Sequence, residues 1–138
     1  MRNSETCITD LDVRRLRSHV RRIRATTPSA SEAVAPLTRR ITSARIVAAA
    51  DVPRNVVTLN SRVALRDLDS MARVSCTLSE PSGVKLFGDR LSVAGPAGAA
   101  LLGARVGQVV RWRLGPRIRR YRVEQIHYQP EAAGDYHL

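Results

Sequence analysis

Lysine is almost missing from this chain: of 23 basic residues, all but Lys85 are arginine. Aromatics are scarce as well, with one Trp, three Tyr and one Phe making up 4% of the residues. That argues against a base-stacking platform for nucleic acid and against an aromatic-lined catalytic pocket. The two cysteines, Cys7 and Cys76, stand far apart and fit no metal-ligand spacing, so a disulfide scaffold and a zinc site are both excluded in favour of two reduced thiols. The longest apolar stretch, Ile46 to Ala50, is too short to span a bilayer. The polar start Met1-Arg2-Asn3-Ser4-Glu5 lacks the apolar centre of a signal peptide, so a cytoplasmic location with no membrane partner is expected. His19, His127 and His137 lie on separate segments and form no Ser-His-Asp or Cys-His pattern. Glu131 and Asp135 read as part of a docked tail, not as an acid-base pair. No catalytic residue, metal, cofactor or small-molecule substrate is expected, and the chain reads as a non-enzyme.

What is present is a foldable composition with a strong positive charge. Hydrophobic residues make up 43% and charged residues 25% of 138, enough for one compact domain with a modest core or such a domain with a small appendage. The net charge is +11. It invites a polyanionic partner, although an arginine-rich coding bias would raise the same total. Residues 1–54 hold 11 bases against 5 acids and residues 55–138 hold 12 against 7, so the excess is not confined to one segment.

The first helix signal is Thr9-Asp10-Leu11-Asp12, a threonine cap followed by an acid three residues on. Val13, Leu16, Val20 and Ile23 then form one narrow apolar seam. Thr26 to Ser31 reads as a turn through Pro28, and a second helix beginning near Pro36 carries Leu37, Ile41, Ala44 and Ala48. Two short helices with matching seams predict a short antiparallel, coiled-coil-like hairpin over residues 1–50. Asp51-Val52-Pro53-Arg54-Asn55 marks the boundary, after which the period changes to two. Strands are predicted within Val57–Leu68 from Val63 onward, over Arg73–Leu78 and over Arg90–Val93. A short capped helix follows at Gly95–Gly103, and a β-hairpin turns at Gly115-Pro116 between Gln108–Leu114 and Arg119–Ile126. The predicted class is α+β: a helical hairpin, then residues 51–138 as a small antiparallel sheet with one helix on it.

Three stretches make the chain resemble the C-terminal domain of the Gre/Rnk transcription-factor family: Val57-Thr58-Leu59-Asn60-Ser61-Arg62-Val63 with Arg66-Asp67-Leu68, then Pro96 to Gly107, then Tyr128 to Tyr136. The resemblance covers about residues 51–138. It implies an FKBP-like β-rich domain that docks at the rim of the RNA polymerase secondary channel. It implies, too, that the docking positions centre on Gly95, Pro96, Ala97, Leu101 and Leu102, with Gly95 standing where Gre factors have serine. In Gre factors a long helical hairpin carries acidic residues at its tip that help hold a catalytic magnesium ion. Here the predicted tip, Thr26 to Ser31, contains no carboxylate and Glu32 follows alone, so a chain that neither reaches nor equips the polymerase active site is expected.

Two basic surfaces stand beside this reading. Arg14, Arg17 and Arg21 lie on the polar side of the first helix, and Arg111, Arg113, Arg117, Arg119, Arg120 and Arg122 alternate with apolar residues along the predicted hairpin, which would put them on one solvent face. Arg14, Arg17, Arg21, Arg111, Arg113, Arg120 and Arg122 are the candidate anion-facing residues; a solvated face is the plainer account of each set. Three functions follow: a polymerase-binding regulator that excludes Gre factors, a Gre-like cleavage factor working through Glu32, and a charge-driven nucleic-acid-binding protein.

Overall fold

The structure, a computed structural model, describes residues 6–24, 35–80 and 89–135. Helix α1 (Asp10–Arg24) begins where the cap predicts, with the Asp12 amide donating to Thr9 Oγ1 at 3.1 Å. It buries Val13, Leu16 and Val20. Helix α2 (Ala35–Ser43) takes Pro36 into its first turn, where a missing amide costs nothing, and buries Leu37 and Ile41. It ends at Ser43, so Ala48 is not on it: the backbone has already become extended, and Ala48 is exposed. The predicted tip and Glu32 lie outside the described residues.

Two strands unforeseen in the sequence bracket these helices. β1 (Cys7–Thr9) and β2 (Arg45–Val47) pair in parallel, Ile8 opposite Ile46, and a further bond runs from the Arg45 amide to the Thr6 carbonyl at 2.9 Å. A turn of 3-10 helix at Ala49–Asp51 leads onward. Val57 to Ser61 is a tight turn and not a strand. The Ser61 amide donates to the Thr58 carbonyl, the Thr58 amide to Ser61 Oγ, and Asn60 has a φ of 69°.

The main sheet has the order β5-β4-β3-β7-β6, with β3 Arg62–Asp67, β4 Arg73–Ser79, β5 Arg90–Ser92, β6 Val109–Leu114 and β7 Arg117–Tyr128. It is mostly antiparallel. β5 corrects the all-antiparallel expectation, since Leu91 pairs with Leu78 in parallel, beside the last three residues of β4. Helix α3 (Pro96–Leu101) packs against both edge strands, β5 and β6, so the sheet curls around it. Gly98 permits this, because a Cβ there would lie 1.9 Å from the Ser92 carbonyl oxygen. A second short helix, α4 (Pro130–Ala133), corrects the single-helix expectation; it ends in left-handed backbone at Gly134. One core cluster joins Leu16, Val20, Leu37 and Ile41 of the helices to Leu59, Leu65, Leu78, Leu101 and Val123 of the sheet domain. Burial of each such side chain is worth roughly 1.5–3 kcal/mol.

Candidate interaction surface

Arg40 fixes where α2 sits. Its Nε donates to the Ala99 carbonyl at 3.0 Å, Nη2 to the Ala100 carbonyl at 2.7 Å and Nη1 to Thr6 Oγ1 at 3.3 Å. The carbonyls at the end of α3 otherwise have no helical partner, and a guanidinium fork satisfies two of them. Burial makes the proton on Arg40 easier to lose than on a solvated arginine. The contacts around it are neutral carbonyl and hydroxyl oxygens.

Beside this joint lies a cleft of about 490 Å³. α2 contributes Pro36, Arg39 and Arg40, α3 contributes Pro96, Ala99 and Ala100, and β6 contributes Arg111, Trp112 and Arg113. An edge strand has no neighbour on one flank, so consecutive residues can border the same groove. Arg39, Arg111 and Arg113 are exposed, and among the described residues none of the three makes an ion pair. Trp112 is half-buried, with one ring face stacked on Tyr121 at 4.8 Å and 5° between planes.

The docking positions implied by the family resemblance divide. Gly95 and Ala97 are partly accessible and Pro96 is exposed at the rim of the cleft. Leu101 and Leu102 are corrections: both are fully buried in the core beneath α3 and have no surface to offer a partner. The strand register pairs Arg111 with Arg120 and Val109 with Arg122, which puts Arg111, Arg113, Arg120 and Arg122 on one face. Arg117 and Arg119 belong to the opposite face and correct the expectation that all six share one. Arg119 bonds Asp67 Oδ2 at 2.6 Å and the Tyr121 hydroxyl at 3.0 Å. Backbone donation from Asp69, with Ser70 and Arg119 beside it, holds the Asp67 carboxyl down at about 2. Arg120 is partly neutralised by Asp69 at 3.2 Å. Arg17 and Arg21 border a smaller cleft of about 220 Å³ on the other side of α2, lined also by Val20, Thr38, Ile41 and Thr42. Arg14 is exposed and lines neither cleft. Arg39 and Arg40 were the residues that sequence reasoning missed; their i, i+1 placement on a helix of uncertain start gave no sign of which face they would occupy.

A second polar cluster ties the helices to the sheet domain. Asp12, only 1% exposed, accepts a bond from the Leu59 amide at 3.1 Å, and Thr58 Oγ1 donates to Glu131 at 2.7 Å. Burial pushes the Asp12 carboxyl up to about 7, against the lowering effect of the Leu59 amide. The two cysteines are unpaired, and among the described residues no group of three or more His, Cys, Asp or Glu side chains is placed to hold a metal ion. No described helix is long and apolar enough to cross a membrane.

A curled sheet closed by a short Pro-Ala-Gly helix, with a helical segment stapled to it, is the arrangement of a transcription-factor family. Residues 52–128 match the model described as "Transcription elongation factor, GreA/GreB, C-term", and the chain belongs to that family. Within it, the chain is 43% identical over 104 residues to the regulator of nucleoside diphosphate kinase of Escherichia coli (strain K12), covering 74% of this chain and 76% of that protein. The protein of the same name from Shigella flexneri matches to the same extent, 43% over 104 residues. Among solved structures, the GreA/GreB transcription elongation factor from Nitrosomonas europaea superposes with a TM-score of 0.69 at 29% identity, over 90% of this chain and 98% of that one.

Proposed function

We propose that this chain is a non-catalytic regulator that binds RNA polymerase near the secondary channel, at the site Gre factors use, and excludes them without stimulating transcript cleavage. Membership of the GreA/GreB family across residues 52–128 carries the reading. It treats the curled sheet with α3 as the family's FKBP-like docking domain, used for binding and not for prolyl isomerisation, and the helical pair as a short coiled-coil-like arm pointing to the channel mouth. Pro96 on the rim of the cleft, with Gly95 and Ala97, supplies the docking edge. The sequence Thr26–Ser31, predicted as the tip, has no carboxylate with which to hold magnesium. The effect on nucleoside diphosphate kinase for which the relatives are named is, in this reading, downstream of transcription, and the protein acts in the cytoplasm.

The test is binding of purified protein to core RNA polymerase at moderate salt, with and without excess Gre factor, followed by a stalled-complex cleavage assay. Displacement by the Gre factor without stimulated cleavage is the expected result. Cleavage abolished by Glu32→Gln would replace the proposal with an active cleavage factor. Polymerase-independent binding to nucleic acid that falls steeply with salt would replace it with charge-driven binding, which the net charge of +11 favours.

A further inference from the structure

We infer that the cleft between α2, α3 and β6 is a binding site for the oligophosphate of a nucleotide. Such a site would serve the protein with or without polymerase binding. Several arginines elsewhere on the sheet are paired with carboxylates: Arg62 with Asp89, Arg66 and Arg73 with Glu124, Arg119 with Asp67 and Arg120 with Asp69. At this cleft Arg39, Arg111 and Arg113 join the carbonyl-bound Arg40, and among the described residues no acid lines the walls. Like charges held near one another repel, so an anion entering here relieves that repulsion.

Shape narrows the anion. A volume of about 490 Å³ suits a small ligand lying in an open cleft. The positive face does not extend evenly along the strands, since Arg120 is already engaged by Asp69. Arginine forks match phosphate oxygens two bonds at a time, which favours a chain of phosphates over a single carboxylate. Apart from the Ser43 hydroxyl the rest of the lining is apolar and low: Pro36, Pro96, Ala99 and Ala100 leave room, and the Trp112 indole borders it. Tyr121 covers one face of that indole, so its remaining surface is what a flat base would meet. Oligophosphate with an attached base is the ligand class that uses both halves of the lining.

Trp112 is the only tryptophan in the chain, so its fluorescence reports on this site alone. Full-length protein is titrated with ATP, and separately with tripolyphosphate, at constant ionic strength and without divalent cations; calorimetry gives an independent Kd. Saturable quenching by ATP at one site per chain is expected. Arg39→Gln and Arg113→Gln, both exposed positions that leave the fold intact, should each weaken ATP binding about tenfold. Arg14→Gln removes the same charge elsewhere and should change Kd by less than about twofold. Tripolyphosphate should bind about tenfold more weakly than ATP, having no base to meet Trp112. The inference is overturned by the absence of saturable binding, by Arg14→Gln weakening ATP as much as Arg113→Gln, or by tripolyphosphate binding as tightly as ATP. Displacement of ATP by single-stranded RNA or an acidic peptide at concentrations below the Kd for ATP would also overturn it, in favour of a macromolecular partner.

Discussion

Asp12 shows how one residue can be legible in part. Its place in the first turn of α1 follows from the Thr9 cap, because that signal is local. Its burial does not, because the Leu59 amide that receives it is 47 residues away in sequence. Desolvation by burial raises the carboxyl, the nearby Glu131 adds to this, and the Leu59 amide and Arg15 oppose it. The folded protein therefore holds this proton more tightly than the unfolded chain. Stability from the protonated form is fully present below about pH 4 and is lost as pH rises through about 7. Asp12→Asn keeps an acceptor for the Leu59 amide and removes the titration. Unfolding free energies from urea titrations at about pH 5 and about pH 8 should differ by roughly 2–4 kcal/mol more in the wild type than in the variant; equal differences would show that Asp12 does not titrate in this range. Leu101 and Leu102 show the reverse case: resemblance marked them for docking, and only packing reveals that the short helix turns both inward.

At the scale of elements, the helices and the β6–β7 hairpin were readable because their periods and turn residues lie within a few positions of one another. β1 and β2 were not. Three residues each, paired across a separation of 38 positions, they carry no alternation long enough to register. β5 was legible as a strand but its parallel direction was not, since a strand's composition does not encode direction. The α2–α3 joint is the element contact most open to a test. Arg40→Met keeps the apolar stem and strips three donors, leaving the Ala99 and Ala100 carbonyls without their partner. A loss of about 2–3 kcal/mol in denaturant unfolding is expected. Arg40→Lys should recover only part of it, because an ammonium cannot span both carbonyls as a planar fork does. A variant as stable as the wild type would mean that water replaces the guanidinium at no cost.

On the scale of the whole molecule, the helices and the sheet share one core, although the sequence divides cleanly in period and composition near residue 51. Thermal unfolding followed by far-ultraviolet circular dichroism, which reads the helices, and by Trp112 fluorescence, which reads the sheet edge, should therefore give coincident single transitions. Two separated midpoints would show that the halves fold apart. The parallel pair β1–β2 adds something different. Its hydrogen bonds clasp the chain where it departs at Thr9 and where it comes home at Arg45, on the same side as the core contacts and the Arg40 joint that hold the bases of the two helices. Beyond Val20 on the way out and before Leu37 on the way back, no described residue belongs to the core. Helical turns added beyond Val20 and before Leu37, about 5.4 Å each, would therefore leave this described core untouched. Reach becomes an evolutionary variable separable from foldedness, as the length of a boom is separable from the crane.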